Sequence, residues 1–152
     1  MTLKLEKVEQ EKRSQYLEYL LLADASEVVV NKYINDGDMF SIHYENEVAG
    51  VLLVTYHPNQ VVELKNMALD TKYRRGRGLG KLIVTEAFKI YKRKGISKVI
   101  VGTANSSIGN MVFYQKIGFR MTEIKKNFFK VYPEPIYENG IRALDMVMFE
   151  KI

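Results

Sequence analysis

The sequence has no cysteine. That excludes disulfides, thiolate metal sites and a cysteine nucleophile. Histidine is nearly as scarce. His43 and His57 are the only two, without the spacing of metal ligands, so no metal is expected. Proline occurs only at Pro58, Pro133 and Pro135. No apolar run approaches the roughly 20 residues of a membrane span, and the opening MTLKLEKVEQEKR lacks a signal-peptide core. These absences fit a cytoplasmic protein with no membrane partner. Repeats, low-complexity tracts and linkers are also missing.

What is present describes an ordinary globular chain. Its 152 residues suit one domain over 1–152, with enough length to bury a core. Hydrophobic residues make up 47% and charged residues 27%, as in soluble domains generally. The net charge of +5 is unevenly spread. Ten basic residues lie between Lys72 and Lys98 against one acid, Glu86, while the rest of the chain is slightly acidic. Such a patch calls for an anionic partner: nucleic acid, a membrane surface or a phosphorylated cofactor.

Residues 2–8 alternate as a strand, and Tyr16, Leu17, Leu20 and Leu21 fall at helical spacing over 11–22. Asp24 with Glu27 resembles a capping box opening a helix to about Ile34. NDGD at 35–38 is a turn, and 39–44 with 48–57 form a hairpin around Glu45–Glu47. Residues 61–69 make the next strand. Leu79, Leu82, Ile83, Ala87, Ile90 and Tyr91 stripe a helix that ends near Gly95. KVIVGT at 98–103 is a buried strand, 108–117 a helix stopped by Gly118, 119–125 a strand, and RALDMVMFEKI a last strand. The order predicts an α/β fold with one mixed, mostly antiparallel sheet and flanking helices.

The stretch YRRGRGLGKLI holds Gly76, Gly78 and Gly80 at alternate positions, with Arg75, Arg77 and Lys81 among them. Alternate glycines expose backbone N–H groups, and a helix starting there adds its own and the positive end of its dipole. The combination suits phosphate. A P-loop fails, because Arg75 replaces its first glycine and Leu82 its hydroxyl. A dinucleotide fingerprint fails, because Lys81 or Ile83 replaces the third glycine. Arg75 to Gly80 does match Arg/Gln-x-x-Gly-x-Gly/Ala, the pyrophosphate loop of the GNAT superfamily of acetyl-CoA-dependent N-acetyltransferases. Downstream, Tyr114-Gln115-Lys116-Ile117-Gly118-Phe119 resembles that family's second signature. With the element order, the two motifs identify the chain as a member.

The resemblance implies the GNAT fold, with splayed fourth and fifth strands. It implies acetyl-CoA held by Arg75, Gly76, Arg77, Gly78, Leu79, Gly80 and Lys81, and by the backbone of Met67, Ala68 and Leu69. The family often places Asn seven residues before the signature tyrosine. Here that position is Ser107, with Asn105 and Asn110 nearby, so any of the three is a cofactor contact. Tyr114 resembles the family's general acid for the departing thiolate; alternatively it packs in the core. Glu63 is the general-base candidate on the fourth strand, or else a surface glutamate paired with Lys65 or another cation. Simple alternation places Glu63, Lys65, Met67 and Leu69 on one face, and Leu64, Asn66 and Ala68 on the other.

The stretch at 126–141, with Glu134, Glu138, Phe128, Phe129, Tyr132 and Tyr137, suits a cationic amine; the alternative is a long loop that contributes to a homodimer contact. Without cysteine, direct attack in a ternary complex is expected. The acceptor is a small-molecule amine in the leading reading and a protein lysine or N-terminus in the alternative. A non-catalytic acyl-CoA-binding domain is a further alternative. A nucleic-acid module is disfavoured, since the cations flank glycines rather than exposed aromatics.

Overall fold

Alternating apolar residues become strands where short turns let the chain double back. The computed structural model describes residues 2–73 and 78–152. It falls into two compact units, Met1–Ser97 and Lys98–Ile152.

In the first unit, β1 (Leu3–Lys7), β2 (Asp38–Tyr44), β3 (Glu47–His57) and β4 (Val61–Leu69) lie side by side in that order, each antiparallel to the next. Glu45 and Asn46 join β2 to β3 with φ of 51° and 67°. Two successive left-handed residues make the tight turn whose twist matches that of the strands.

One face of these strands carries the core. Met39, Val51, Leu53 and Ala68 pack with Val8, Leu20, Val30, Tyr33 and Ile34. The helical partners are α1 (Leu17–Ala23) and α2 (Glu27–Tyr33). The expected helix over 11–22 is split, because Gln10–Tyr16 winds as a 3-10 helix before α1. The cap of α2 is also not the expected one. Ser26 stands at the N-cap and accepts from the Val29 N–H at 3.3 Å. Asp24 instead ends α1, and its Oδ2 accepts from the Tyr33 hydroxyl at 2.8 Å. Beyond α2, the buried Arg13 donates to the carbonyls of Ile34, Asp36 and Gly37 at 2.9, 2.7 and 2.6 Å. A single guanidinium thus satisfies carbonyls that a helix end leaves unpaired.

The opposite face holds Phe40, whose ring meets Tyr91 edge-on at 6.3 Å. Tyr91 belongs to α3 (Leu79–Arg93), which buries Leu79, Ile83, Val84, Ala87 and Tyr91. Its hydroxyl and that of Tyr56 both donate to Asp38 Oδ2, at 2.7 and 2.6 Å, pinning α3 to β2 and β3.

The second unit contains β5 (Lys98–Ala104), α4 (Ile108–Lys116), β6 (Arg120–Lys125), β7 (Tyr137–Glu138), β8 (Ile141–Arg142) and β9 (Met146–Lys151). β9 lies between β5 and β6, antiparallel to both. The last strand starts later than RALDMVMFEKI implies, because Arg142 is used in a hairpin with Tyr137. The expectation of an α/β, mainly antiparallel architecture with flanking helices holds. Among the described residues, no helix is long and apolar enough to cross a membrane.

Candidate active site

The register of β4 decides where its polar side chains point. Leu53 pairs with Asn66 and Val54 with Leu64, leaving Lys65 as an extra residue, a β-bulge. Thr55 pairs with Glu63 and Val51 with Ala68. Cross-strand partners share a face, and Val51, Leu53 and Thr55 alternate regularly on β3. Glu63, Asn66 and Ala68 therefore share the face that carries α1 and α2. Lys65 reaches the same way, its Nζ 5.2 Å from the centre of the Tyr33 ring. Simple alternation put Glu63 with Met67 and Leu69; the bulge corrects this. Met67, paired with Leu52, faces the other side.

Glu63 is buried, with 8% of its surface exposed. Its Oε1 stands 2.9 Å from His57 Nε2, so its partner is His57 rather than Lys65. Thr55 Oγ1 lies 3.4 Å from the same ring nitrogen. Nearby, Asn66 Nδ2 donates to the Leu20 carbonyl and to the Tyr33 hydroxyl, both at 3.0 Å. The Leu20 carbonyl and the Asp24 carboxylate at the ends of this chain of bonds can only accept, which fixes the direction of the amide. Asn66 Oδ1 is left buried with no hydrogen-bond partner among the described residues. An unsatisfied buried acceptor costs roughly 1–3 kcal/mol. The sequence carried a signal for Asn66, a lone amide within an apolar strand, and sequence reasoning passed over it.

Tyr114 is on α4, buried against the rings of Phe113, Phe119 and Phe149. Burial pushes its phenol up to about 12. At neutral pH the hydroxyl therefore keeps its proton and can only donate it or share it in a hydrogen bond.

Of the expected phosphate loop, Arg75, Gly76 and Arg77 lie outside the described residues. Gly78 is the N-cap of α3, with φ of 63° and open space where a Cβ would stand. It gives α3 no side-chain cap, so the first-turn N–H groups of Leu79, Gly80 and Lys81 have no such acceptor. The Leu79 side chain is core, whereas Lys81 is exposed. Met67, Ala68 and Leu69 stand in register with Leu52, Val51 and Gly50. A Cβ on Gly50 would fall 2.0 Å from the Ala68 carbonyl oxygen, so only glycine lets β3 come this close.

The three polar candidates around the start of α4 separate. Asn105 Oδ1 accepts from the N–H groups of Leu144 and Asp145 at 2.8 and 3.1 Å, and its Nδ2 donates to the Arg142 carbonyl at 3.1 Å. Its side chain is occupied by its own chain. Ser107 Oγ donates to Glu138 Oε1 at 2.5 Å. That bond also occupies one of the two predicted acceptor-binding carboxylates. Asn139 Nδ2 completes the corner by donating to the Ser106 carbonyl at 2.9 Å. Asn110 is exposed, and its Nδ2 makes a long contact, 3.4 Å to Thr103 Oγ1. Glu134 is exposed ahead of β7 and is not brought to Glu138 by a helix. Phe128 meets Phe129 edge-on at 5.2 Å, and Phe129 tilts against Tyr132 at 5.3 Å. No metal-binding group of three or more His, Cys, Asp or Glu occurs among the described residues.

Comparison with known proteins gives the family. Residues 5–119 match the model of the acetyltransferase (GNAT) family. An uncharacterised N-acetyltransferase of Bacillus subtilis strain 168, YvbK, is 37% identical over 91% of this chain and 89% of its own. A GNAT family acetyltransferase from Elizabethkingia anophelis, solved with acetyl-CoA bound, superposes with a TM-score of 0.89 at 36% identity, over 97% of this chain and 96% of that one. A Bacillus subtilis acetyltransferase in complex with CoA gives 0.87 at 36% identity, over 98% and 97% of the two chains. The chain belongs to the GNAT family of acetyl-CoA-dependent N-acetyltransferases.

Proposed function

We propose that the chain moves an acetyl group from acetyl-CoA to the primary amine of a small molecule, by direct attack in a ternary complex. The observation that carries this reading is Glu63, a buried carboxylate on the face of β4 shared with Asn66. An alkylamine is protonated at neutral pH and has no lone pair to attack with. Glu63 accepts the proton that the ammonium must lose. Asn66 Oδ1, fixed and without a donor among the described residues, accepts an N–H from the same nitrogen and orients it. Their burial favours a slender acceptor, which is why a small molecule is preferred to a protein chain.

Acetyl-CoA supplies the acetyl thioester and the phosphates that anchor it. The first turn of α3, which has no side-chain cap from Gly78, fits a phosphate, and we assign that contact to Gly78, Leu79, Gly80 and Lys81 together with Arg75, Gly76 and Arg77. Met67, Ala68 and Leu69 align the pantetheine arm. Asn110 is the polar contact at α4, since Asn105 and Ser107 are committed elsewhere. Tyr114 offers its hydroxyl proton to the departing sulfur. Glu134 draws in the cationic acceptor from solvent.

The test is CoA release over a panel of amines, alongside the thermal shift with acetyl-CoA. A ligand bound to the native state alone stabilises by about 2.7 kcal/mol at a hundredfold excess over Kd. A clear shift and at least one amine turned over are expected. Absence of a shift at millimolar acetyl-CoA contradicts the reading.

A further inference from the structure

Glu63 can act as a base in every cycle only if it is emptied in every cycle. Acetylation of an ammonium releases one proton overall: R–NH3+ and acetyl-CoA give R–NH–acetyl, CoA–SH and H+. On the proposed reading, that proton first rests on a carboxyl whose side chain is only 10% exposed. His57 touches this carboxyl at 2.9 Å, and its own side chain is 39% exposed. The contact follows from the strand register. Thr55 pairs with Glu63 and His57 with Val61, so the His57 and Glu63 side chains leave the same face as diagonal neighbours. Thr55 Oγ1, 3.4 Å from Nε2, steadies the ring.

We propose that His57 is a positioning and proton-relay residue. Entering the step as the Nδ1–H tautomer, it takes the proton from Glu63 at Nε2 and releases the Nδ1 proton to solvent, which returns Glu63 to the carboxylate and leaves the resting Nε2–H ring; exchange of the ring proton with solvent resets the tautomer for the next cycle. Imidazole suits this because one nitrogen can gain a proton while the other loses one, with no change elsewhere in the ring. No other co-reactant is needed, since water or buffer receives the proton. Between turnovers the same contact fixes the rotamer of Glu63. The proposal rests on Glu63 being the base, as set out above.

The experiment compares the full-length wild type with His57→Gln and His57→Ala. Glutamine keeps an N–H donor for Glu63 but cannot relay a proton, so it separates relay from simple pairing. Both variants should keep the wild-type melting temperature and acetyl-CoA affinity. Their kcat should fall about 10²-fold, the lower end of what a proton-transfer group contributes. At constant pH, added imidazole should restore His57→Ala in proportion to its concentration and leave the wild type unchanged. Wild-type kcat in His57→Gln, or no rescue of His57→Ala, overturns the relay. A readout independent of turnover is the ¹⁵N spectrum of the His57 ring. It should place the neutral-ring proton on Nε2 in the wild type and lose that preference in Glu63→Ala. A ring that ignores Glu63 overturns the pairing, whereas failure of the wild type to acetylate any amine strikes only the acetyltransfer reading.

Discussion

Two polar clusters in this molecule look alike in sequence and differ in how far their hydrogen bonds are satisfied. At the corner before α4, the side chains of Asn105, Ser107 and Glu138 are paired, whereas the buried Ser106 Oγ has no hydrogen-bond partner among the described residues. Three backbone groups take up the Asn105 side chain, and Ser107 takes up Glu138. On β4, Glu63 pairs with His57, itself titratable, and Asn66 keeps a buried oxygen with no partner among the described residues. A set of paired side chains holds a fold together. On the function proposed above, the open one on β4 is where a substrate completes the bonding. Burial alone does not separate the two, since Ser107 and Glu63 are 7% and 8% exposed.

The largest effect that sharpens this contrast is expected at Glu63. Glu63→Gln should lower kcat with an alkylamine by about 10²–10⁴-fold, the usual contribution of a general base, while the melting temperature stays near wild type. Tyr114→Phe should follow, with a loss of about 10²-fold in kcat and an unchanged KM for acetyl-CoA.

The same substitution has a pH signature. The Tyr114 phenol is raised from 10.0 to about 12 by burial, so its contribution to stability is complete below pH 10. Between pH 10 and 12 the unfolded chain ionises while the native phenol does not, and stability falls by an amount on the order of 2 kcal/mol. Tyr33 and Tyr91 are raised in the same direction, again chiefly by burial. Alkaline melting curves of wild type and Tyr114→Phe should therefore diverge, with the variant the flatter.

The paired cluster should respond in the opposite sense. Asn105→Ala strands the Leu144 and Asp145 N–H groups and should cost about 1–3 kcal/mol in denaturant unfolding, with the folded fraction as active as before. A large loss of acetyl-CoA affinity at equal stability would return Asn105 to the cofactor site. The smallest effect is expected at Glu138. Glu138→Gln should change acceptor KM by no more than an exposed ion pair is worth, about 0.2–1 kcal/mol. A greater rise would show that the Ser107 bond yields to substrate.

Much of this was legible in the sequence. The strands, the helix after the glycines and the two signature motifs follow from apolar periodicity and local spacing. The missed pieces each have a physical reason. The bulge at Lys65 depends on pairing with β3, and no feature of β4 alone announces it; it moved Glu63 to the other face. Ser26 displaced Asp24 as a cap because Asp24 is drawn to the Tyr33 hydroxyl nine residues away in sequence. One miss was avoidable. Asn139-Gly140, with φ of 56° and 73°, is the strongest short hairpin signal, and it makes β7 and β8 out of what read as a long loop. His57 could not be assigned to Glu63 by sequence, because only the register brings them together.

The most direct test of the central claim changes the acceptor rather than only the enzyme. If Glu63 serves to deprotonate an ammonium, its removal should matter only when the amine arrives protonated. Wild type and Glu63→Gln should be compared at one pH with an alkylamine and with an amine nucleophile already neutral at that pH. A deficit of 10²-fold or more with the first and near-equal rates with the second is the predicted result. An equal deficit with both would contradict the account, and would make Glu63 a structural or binding residue.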